Sequence, residues 1–478
     1  MKSSKLVLFS LIVLIPFLMS QSEPTQYVVL SWNDLGMHCS NKDFSSLVVL
    51  PPYNNLLCQV IKKGDENSLP EIITDNLKVT YEIPGNTVSV NKTNFWQYAN
   101  ALFGVTLQDN IGLTGKGLTG TMDVKNGYFT AEGIPLTPYT DNDLTKEDPY
   151  QLGLVKVFDA SNNYLGSLTP VVPVSNEINC VSSGCHSSEQ AILNAHEKED
   201  GFDPTKKPIL CAKCHASNAL GTKGIGEAPI FSYAIHKKHS NKTSDCYKCH
   251  PGPNTKCFRD VMSERGLKCV DCHGTMANVA STILQGRRPW LDEPSCGATA
   301  CHGANYNVNA GLLFRQSKGH GGVYCSGCHG EPHGIVPTRD GSRDNAQNVA
   351  LQGYQGVLRE CKVCHTVVPS APGPHNMVVS EVKVVDDDSK KYDFSIKQIY
   401  PNPLKTISTI PFSISKAGDV HIDIFSENGQ HIVNLLNQYL LPAEYSVNLD
   451  ANNLSSGIYI CVLKVNGVSK TSRILVQK

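Results

Sequence analysis

Between Cys180 and His365 a cysteine pair followed at once by histidine recurs seven times. Five copies are Cys-x-x-Cys-His, at 211–215, 246–250, 269–273, 325–329 and 361–365, and two carry a longer loop, at 180–186 and 296–302. This is the attachment pattern of c-type haem. The pairs Cys180/Cys185, Cys211/Cys214, Cys246/Cys249, Cys269/Cys272, Cys296/Cys301, Cys325/Cys328 and Cys361/Cys364 each suit two thioether bonds to the haem vinyl groups. The adjacent imidazole of His186, His215, His250, His273, His302, His329 or His365 then reaches the iron. Two extra residues bulge the loop without moving its anchors. Structural zinc also uses Cys-x-x-Cys pairs, but it does not require a histidine after every second cysteine. Disulfide pairing does not select that histidine either. The spacing predicts seven covalent haems c.

A segment so dense in motifs constrains everything around it. Residues 176–380 hold all seven and few large apolar side chains, too little for an ordinary core. The expectation is short helices and loops wrapped around stacked porphyrins that themselves serve as the core. At 478 residues the chain is expected to be multidomain, with room for about three domains. Its formal charge of -1 gives no case for nucleic acid, and haem propionates would make the loaded protein acidic. Fourteen of the eighteen cysteines lie in the motifs, leaving Cys39, Cys58, Cys257 and Cys461. Cys39 and Cys58 suit a disulfide in an oxidising compartment, a metal site at His38 and Cys39 is the sharper alternative, and Cys257 has Cys39 or Cys58 as a candidate partner. Cys461 reads as a small buried apolar residue.

Residues 1–22 read as a secretory signal: Lys2 and Lys5, an apolar run from Leu6 to Met19, then Ser20-Gln21-Ser22. A membrane anchor is the alternative, but the run is short and contains Ser10 and Pro16. No later segment approaches membrane-spanning length. Residues 23–175 alternate β-rich runs with turns and predict a β-sandwich-like module. Its strands are expected at 26–32, 56–61, 77–83, 119–124 and 153–158, with turns at Pro84-Gly85-Asn86 and Asn126-Gly127. One stretch stands out locally: Trp32-Asn33-Asp34-Leu35-Gly36-Met37-His38-Cys39. A linker at 381–394 carries Asp386-Asp387-Asp388 and Lys390-Lys391. Residues 395–478 return to β character, with runs at 410–414, 420–425, 443–449, 457–463 and 469–476.

Within that last segment Ile399-Tyr400-Pro401-Asn402-Pro403, the 426–430 turn, Gly457-Ile458-Tyr459 and a closing basic-apolar strand resemble the type A sorting domain of type IX secretion substrates. The resemblance implies an immunoglobulin-like β-sandwich, recognition by that secretion machinery, and passage to the cell surface or beyond. The alternative is an immunoglobulin-like module used for adhesion or spacing.

The face of each iron opposite its proximal histidine decides what it does. A second histidine leaves a low-spin iron that only passes electrons, methionine does so at higher potential, and an open face binds substrate. The haem segment holds six further histidines, His196, His236, His239, His320, His333 and His375, as candidate distal ligands. His236 and His239, three apart, fall on one side of a helix and suit two neighbouring haems. His333 follows His329 by four residues, and about 3.3 to 3.6 Å per residue barely rounds a porphyrin, so it should serve another haem. Seven haems and six histidines leave one face to Met276, to His38, to an open site, or to His421 or His431.

Taken together the haem segment resembles the surface-exposed multihaem c-type cytochromes of extracellular electron transfer. That resemblance implies relay of electrons to or from an extracellular acceptor or a partner cytochrome. The alternative is an oxidoreductase of the nitrite, hydroxylamine or tetrathionate type with one open haem, against which every motif keeps histidine and none has lysine. A third reading, a binding protein gripping a surface through its β module, finds no sugar-binding or metal-loop pattern.

Overall fold

The computed structural model describes residues 26–196, 201–306, 309, 311–338, 343–369, 373–376, 394–415, 418–440, 443–465 and 468–478. The signal segment and the linker up to residue 393 lie outside these. The first region is built from strands β1 (Tyr27–Trp32), β2 (His38–Cys39), β3 (Leu47–Val48), β4 (Asn54–Lys62), β5 (Glu71–Ile73), β6 (Leu77–Glu82), β7 (Thr119–Thr121), β8 (Asp123–Lys125), β9 (Tyr128–Ile134), β10 (Tyr150–Leu152), β11 (Leu154–Asp159), β12 (Tyr164–Leu168) and β13 (Val171–Ser175). One helix, α1 (Phe95–Phe103), interrupts them. One sheet runs β1-β4-β9-β8 with β5 on β4, a second runs β12-β11-β6-β7, and a third runs β10-β13-β2. Val29, Leu56, Cys58, Val60, Val79, Tyr81, Phe129, Val155 and Val157 pack together as its main core. Alternation in β6 and β11 sends every second side chain into this core, the period a pleated strand imposes.

Strand β1 is buried on both faces. Val29 enters the main core, whereas Val28, Leu30 and Trp32 pack against Tyr324 and Val363 of the motif-bearing region. Two more clusters join the same regions. Phe44, Phe95, Ala99 and Leu102 enclose Leu210 and Ala212, and Met37, Tyr150 and Val171 meet Cys39 and Cys257.

The motif-bearing region holds short elements: strand β14 (Ile209–Leu210), paired with β3, and helices α2 (Glu189–Asn194), α3 (Cys211–Cys214), α4 (Phe231–His239), α5 (Val261–Glu264), α6 (Cys269–His273), α7 (Met276–Leu284), α8 (Cys325–His329) and α9 (Ala346–Gln352). None of the five apolar clusters among the described residues is made by this region alone.

The C-terminal region is a two-sheet sandwich. Strands β15 (Phe394–Ile396), β16 (Ile407–Ile414) and β19 (Ala443–Asp450) form one sheet, and β17 (Gly418–Ser426), β18 (His431–Leu440), β20 (Gly457–Val465) and β21 (Val468–Val476) form the other, in order β18-β17-β20-β21. Phe412, Ile422, Ile424, Leu463 and Ile474 lie between them. Cys461 is fully buried in the same cluster. No helix among the described residues is long and apolar enough to cross a membrane.

Candidate functional site

Each motif closes as one tight turn. The N–H of the motif histidine donates to the carbonyl of the first cysteine at His215 (3.0 Å), His250 (2.9 Å) and His365 (2.9 Å). The long motifs close on the same bond, His186 to Cys180 and His302 to Cys296, both 3.2 Å, so the extra residues loop out between fixed ends. Motifs 269–273 and 325–329 are single turns, α6 and α8.

No disulfide joins any of the eighteen cysteines, and the polypeptide does not enclose the motif cysteines equally. Cys180, Cys211, Cys214, Cys246, Cys249, Cys269, Cys296, Cys325, Cys328, Cys361 and Cys364 are half-buried, whereas Cys185, Cys272 and Cys301 are exposed. The physical reason is local. Cys185 and Cys301 follow the looped-out residues of the two long motifs, and Cys272 closes a one-turn helix with no buried residue. In all three the polypeptide alone does not cover the second cysteine. An exposed thiol remains open to vinyl addition, so the geometry is compatible with attachment at Cys185.

The six additional histidines of this region, most of them far away in sequence, each face a motif histidine. Ring centres lie 6.0 Å apart for His186–His239, 6.3 Å for His196–His215, 6.2 Å for His236–His250, 6.1 Å for His273–His333, 6.1 Å for His320–His365 and 6.0 Å for His329–His375. Two imidazoles sharing one iron, each at a metal–nitrogen bond of about 2 Å, would have ring centres about 6 Å apart. Each of these six pairs could therefore hold a haem iron, were haem bound.

Hydrogen bonds select the ligating nitrogen. Nδ1 of His196, His236 and His239 lies 3.1, 2.6 and 2.8 Å from the carbonyl oxygen four residues earlier, at Ile192, Ser232 and Ile235. Nδ1 of His215 lies 2.7 Å from Pro229 O. A carbonyl only accepts, so Nδ1 carries the proton and Nε2 keeps the lone pair a metal needs. Burial, reinforced by neighbouring imidazoles, lowers His250, His329 and His333 to about 4, so each is neutral, the ligating form.

His333 and His375 have left-handed backbones, with φ of 64° and 55°. A non-glycine residue there costs about 1–2 kcal/mol, and such outliers cluster where the surroundings hold a side chain for a task. The seat of His333 is the Trp32–Cys39 stretch singled out in the sequence. Asn33 Oδ1 accepts from the N–H groups of Leu35 (3.1 Å) and Gly36 (2.8 Å), turning the chain. The Leu35 carbonyl then accepts from the His333 ring. Gly36 has φ of 71°, and a Cβ there would lie 1.7 Å from Pro332 O.

Behind this seat is a group that no motif announces. The Arg259 guanidinium, 3 % exposed, donates to Asp344 (2.5 and 2.6 Å), Glu331 (3.0 Å) and Gly36 O (2.8 Å), and lies 4.5 Å from the centre of the Tyr150 ring. Its backbone N–H donates to His333 O at 3.0 Å. Burial raises Glu331 to about 8, with Asp344 adding to the rise and Arg259 opposing it. The buried amide of Gln347 likewise ties Ser31 N (2.8 Å) to Gly327 O (3.2 Å), while Asn348 donates to Cys328 O (3.0 Å). A lone arginine or glutamine carries no sequence signal; only the fold reveals what it bridges.

The seventh motif differs. His302 has Tyr306 as its ring neighbour at 6.4 Å, and Tyr306 in turn lies 4.9 Å from His375. His38 is engaged elsewhere, its Nε2 2.7 Å from Asp34 Oδ1 and its ring buried. His431 bonds Asp423 at 2.9 Å, and His421 lies on β17. Met276 opens α7. Cys39 and Cys58, expected as a candidate disulfide, belong to separate clusters and are not joined, because β4 turns Cys58 into the main core while β2 sets Cys39 in the cluster that holds Cys257. Among the described residues no three or more of His, Cys, Asp and Glu converge as a group that would hold a bare metal ion, at His38 and Cys39 or elsewhere.

Residues 398–477 match the family described as the secretion system C-terminal sorting domain. The chain thus carries a type IX secretion sorting domain, which engages that secretion machinery and marks a protein exported to the cell surface or extracellular space. No curated protein matches the chain. Among solved structures it is similar to dimeric latent PorU from Porphyromonas gingivalis, at 10% identity and a TM-score of 0.16, over 94% of this chain and 34% of that one. The chain spans about a third of that structure's length.

Proposed function

We propose that this exported protein is a heptahaem c-type cytochrome that relays electrons between the cell surface and an extracellular acceptor or partner cytochrome. The observation that carries the reading is the set of six histidine pairs, each with one motif histidine and ring centres 6.0 to 6.3 Å apart. Haem held between two imidazoles supplies one-electron exchange at a low-spin iron. The chain's own part is to fix ring orientation through Nδ1 hydrogen bonds, to keep imidazoles neutral by burial, and to hold the pairs close together. The scarcity of apolar side chains in 176–380 supports porphyrins as the core of this region.

The setting of His302, with Tyr306 as its ring neighbour, favours one further reading: an oxidoreductase in which that haem takes a ligand. Intact-mass analysis of the matured protein should show seven haem increments, and fewer than six would sink the motif assignment. EPR of the oxidised protein separates the two readings. Low-spin signals alone support the carrier, and a substantial high-spin signal supports the enzyme.

A further inference from the structure

Strand β4 packs on both of its faces. Cys58 and Val60 enter the main core, while Leu57 and Ile61, on the alternate face, pack in the cluster of Trp32, Tyr324 and Val363. Gln59 falls on that second face and is fully buried. A buried amide is costly unless its polar atoms find partners. Its Nε2 donates to Gly127 O (3.0 Å) and Gly322 O (3.2 Å), and its Oε1 accepts from the Tyr324 N–H (2.9 Å). Two of these three bonds cross into the motif-bearing region, one on either side of Val323.

The segment they grip carries His320. Lys318 and Tyr324 form an antiparallel β-bridge, Gly319 N–H donates to Val323 O at 2.8 Å, and Cys325 N–H donates to Ser317 O at 3.0 Å. Residues 317–325 thus close as a hairpin with His320 in its tip. That tip is Gly319-His320-Gly321-Gly322, with Gly321 and Gly322 at φ of 60° and 80°. A tip so rich in glycine has wide conformational freedom of its own. Gln59 removes that freedom where the tip rejoins its stem. Strand β5 backs the same point, since a Cβ on Gly322 would lie 3.4 Å from Ile72 Cδ1.

The other ring of the pair is held from the same strand end. Just past β4, Gly64 forms a parallel β-bridge with His365, and Gly64 O accepts from the Thr366 hydroxyl. Residues 59–64 therefore fix the backbone beside both His320 and His365, whose ring centres are 6.1 Å apart.

Resting on the haem reading above, we infer that the end of β4 sets the axial geometry of one haem, that of motif 361–365, with Gln59 as the positioning residue for His320 and Gly64 for His365. Neither supplies a ligand. Groups that orient a ligand also tune the metal it binds, so a strand of the first region governs the midpoint of a haem attached elsewhere in the chain.

Redox titration and EPR of the haem-loaded full chain test this. His320→Met identifies the component to follow, since methionine ligation raises potential. Gln59→Leu should keep seven haem increments by intact mass, weaken the low-spin signal of that same component and move its midpoint, leaving the other components in place. Gln59→Glu, which keeps an acceptor for the Tyr324 N–H, should move it less. Thr366→Val removes an exposed hydroxyl on the His365 side and should displace the same component, which keeps the inference open to refutation if the buried Gln59 variants do not fold. A Gln59→Leu protein that unfolds at lower temperature with every midpoint unchanged would overturn the inference, as would equal shifts in several components or a Thr366→Val protein identical to the parent. A haem count below six in the parent protein would instead remove the haem reading, so the two failures are distinguishable.

Discussion

His333 concentrates what single residues do in this protein. It stands in a left-handed backbone, accepts at its carbonyl from Arg259 N–H, and faces His273 rather than its near neighbour His329. Replacing His333 with methionine should keep seven attached haems while moving one component of a redox titration upward, because His/Met ligation raises potential. For a one-electron couple about 59 mV is a tenfold change in equilibrium, enough to make that haem a trap for electrons. Gly36 is the second test. Alanine there incurs a left-handed backbone penalty of about 1–2 kcal/mol and sets a methyl 1.7 Å from Pro332 O. Gly36→Ala should displace the 330–335 segment, so the low-spin EPR signal of the haem at 269–273 weakens while the other signals persist.

Elements in the motif-bearing region are short, and its loops are held by buried polar groups as much as by apolar packing. Glu177, 7 % exposed, accepts from the N–H groups of Gly252 (2.9 Å), Asn254 (3.0 Å) and Thr255 (2.9 Å), fixing the loop that leaves motif 246–250. Burial works to raise its carboxyl, but these hydrogen bonds prevail and hold it below its ordinary value of 4.5. A carboxyl depressed in the folded state stabilises fully above its unfolded value and loses that contribution as pH falls through the lower folded value. Glu177→Gln leaves donors short of acceptors and should cost about 1–3 kcal/mol at neutral pH. Its difference from the parent protein in thermal unfolding should shrink below about pH 4. The elements themselves are unequally legible in the sequence. Strands over 26–32 and 77–83 are readable from β-rich composition, whereas β18 escapes, because Asn434, Asn437 and Gln438 interrupt its apolar run. Helix α1 escapes for another reason: Phe95-Trp96-Gln97-Tyr98 is aromatic enough to suit a strand, and its burial against Phe44 and Leu210 is a tertiary fact.

At the scale of the whole molecule, the sorting domain and the proposed haem segment occupy separate stretches of chain. The C-terminal sandwich has its own core, with Phe412, Ile422 and Leu463 packed inside it. Deleting 395–478 should therefore leave a haem-loaded protein that stays in the periplasm, and arrival of the truncated protein at the surface would contradict the role of the sorting domain. The motifs and the inventory of candidate ligands are legible in the sequence, because attachment chemistry dictates local spacing. Which histidine meets which is not, since partners such as His273 and His333 are brought together only when the chain folds back. Nor is the uneven enclosure of the attachment cysteines, because the exposure of Cys185 depends on what packs over its loop.

Helix α4, which presents His236 and His239, divides the segment in time as well as in space. Motifs 180–186, 211–215 and 246–250 find all their partner histidines between His196 and His239, so this portion of the chain is complete once its first three motifs have emerged from the membrane they cross. Motifs 269–273 and 325–329 must wait for His333 and His375, which emerge much later, whereas motif 361–365 arrives after its partner His320 is already out. A chain stalled midway through export would hold a finished first half and a second half whose imidazoles had nothing to face.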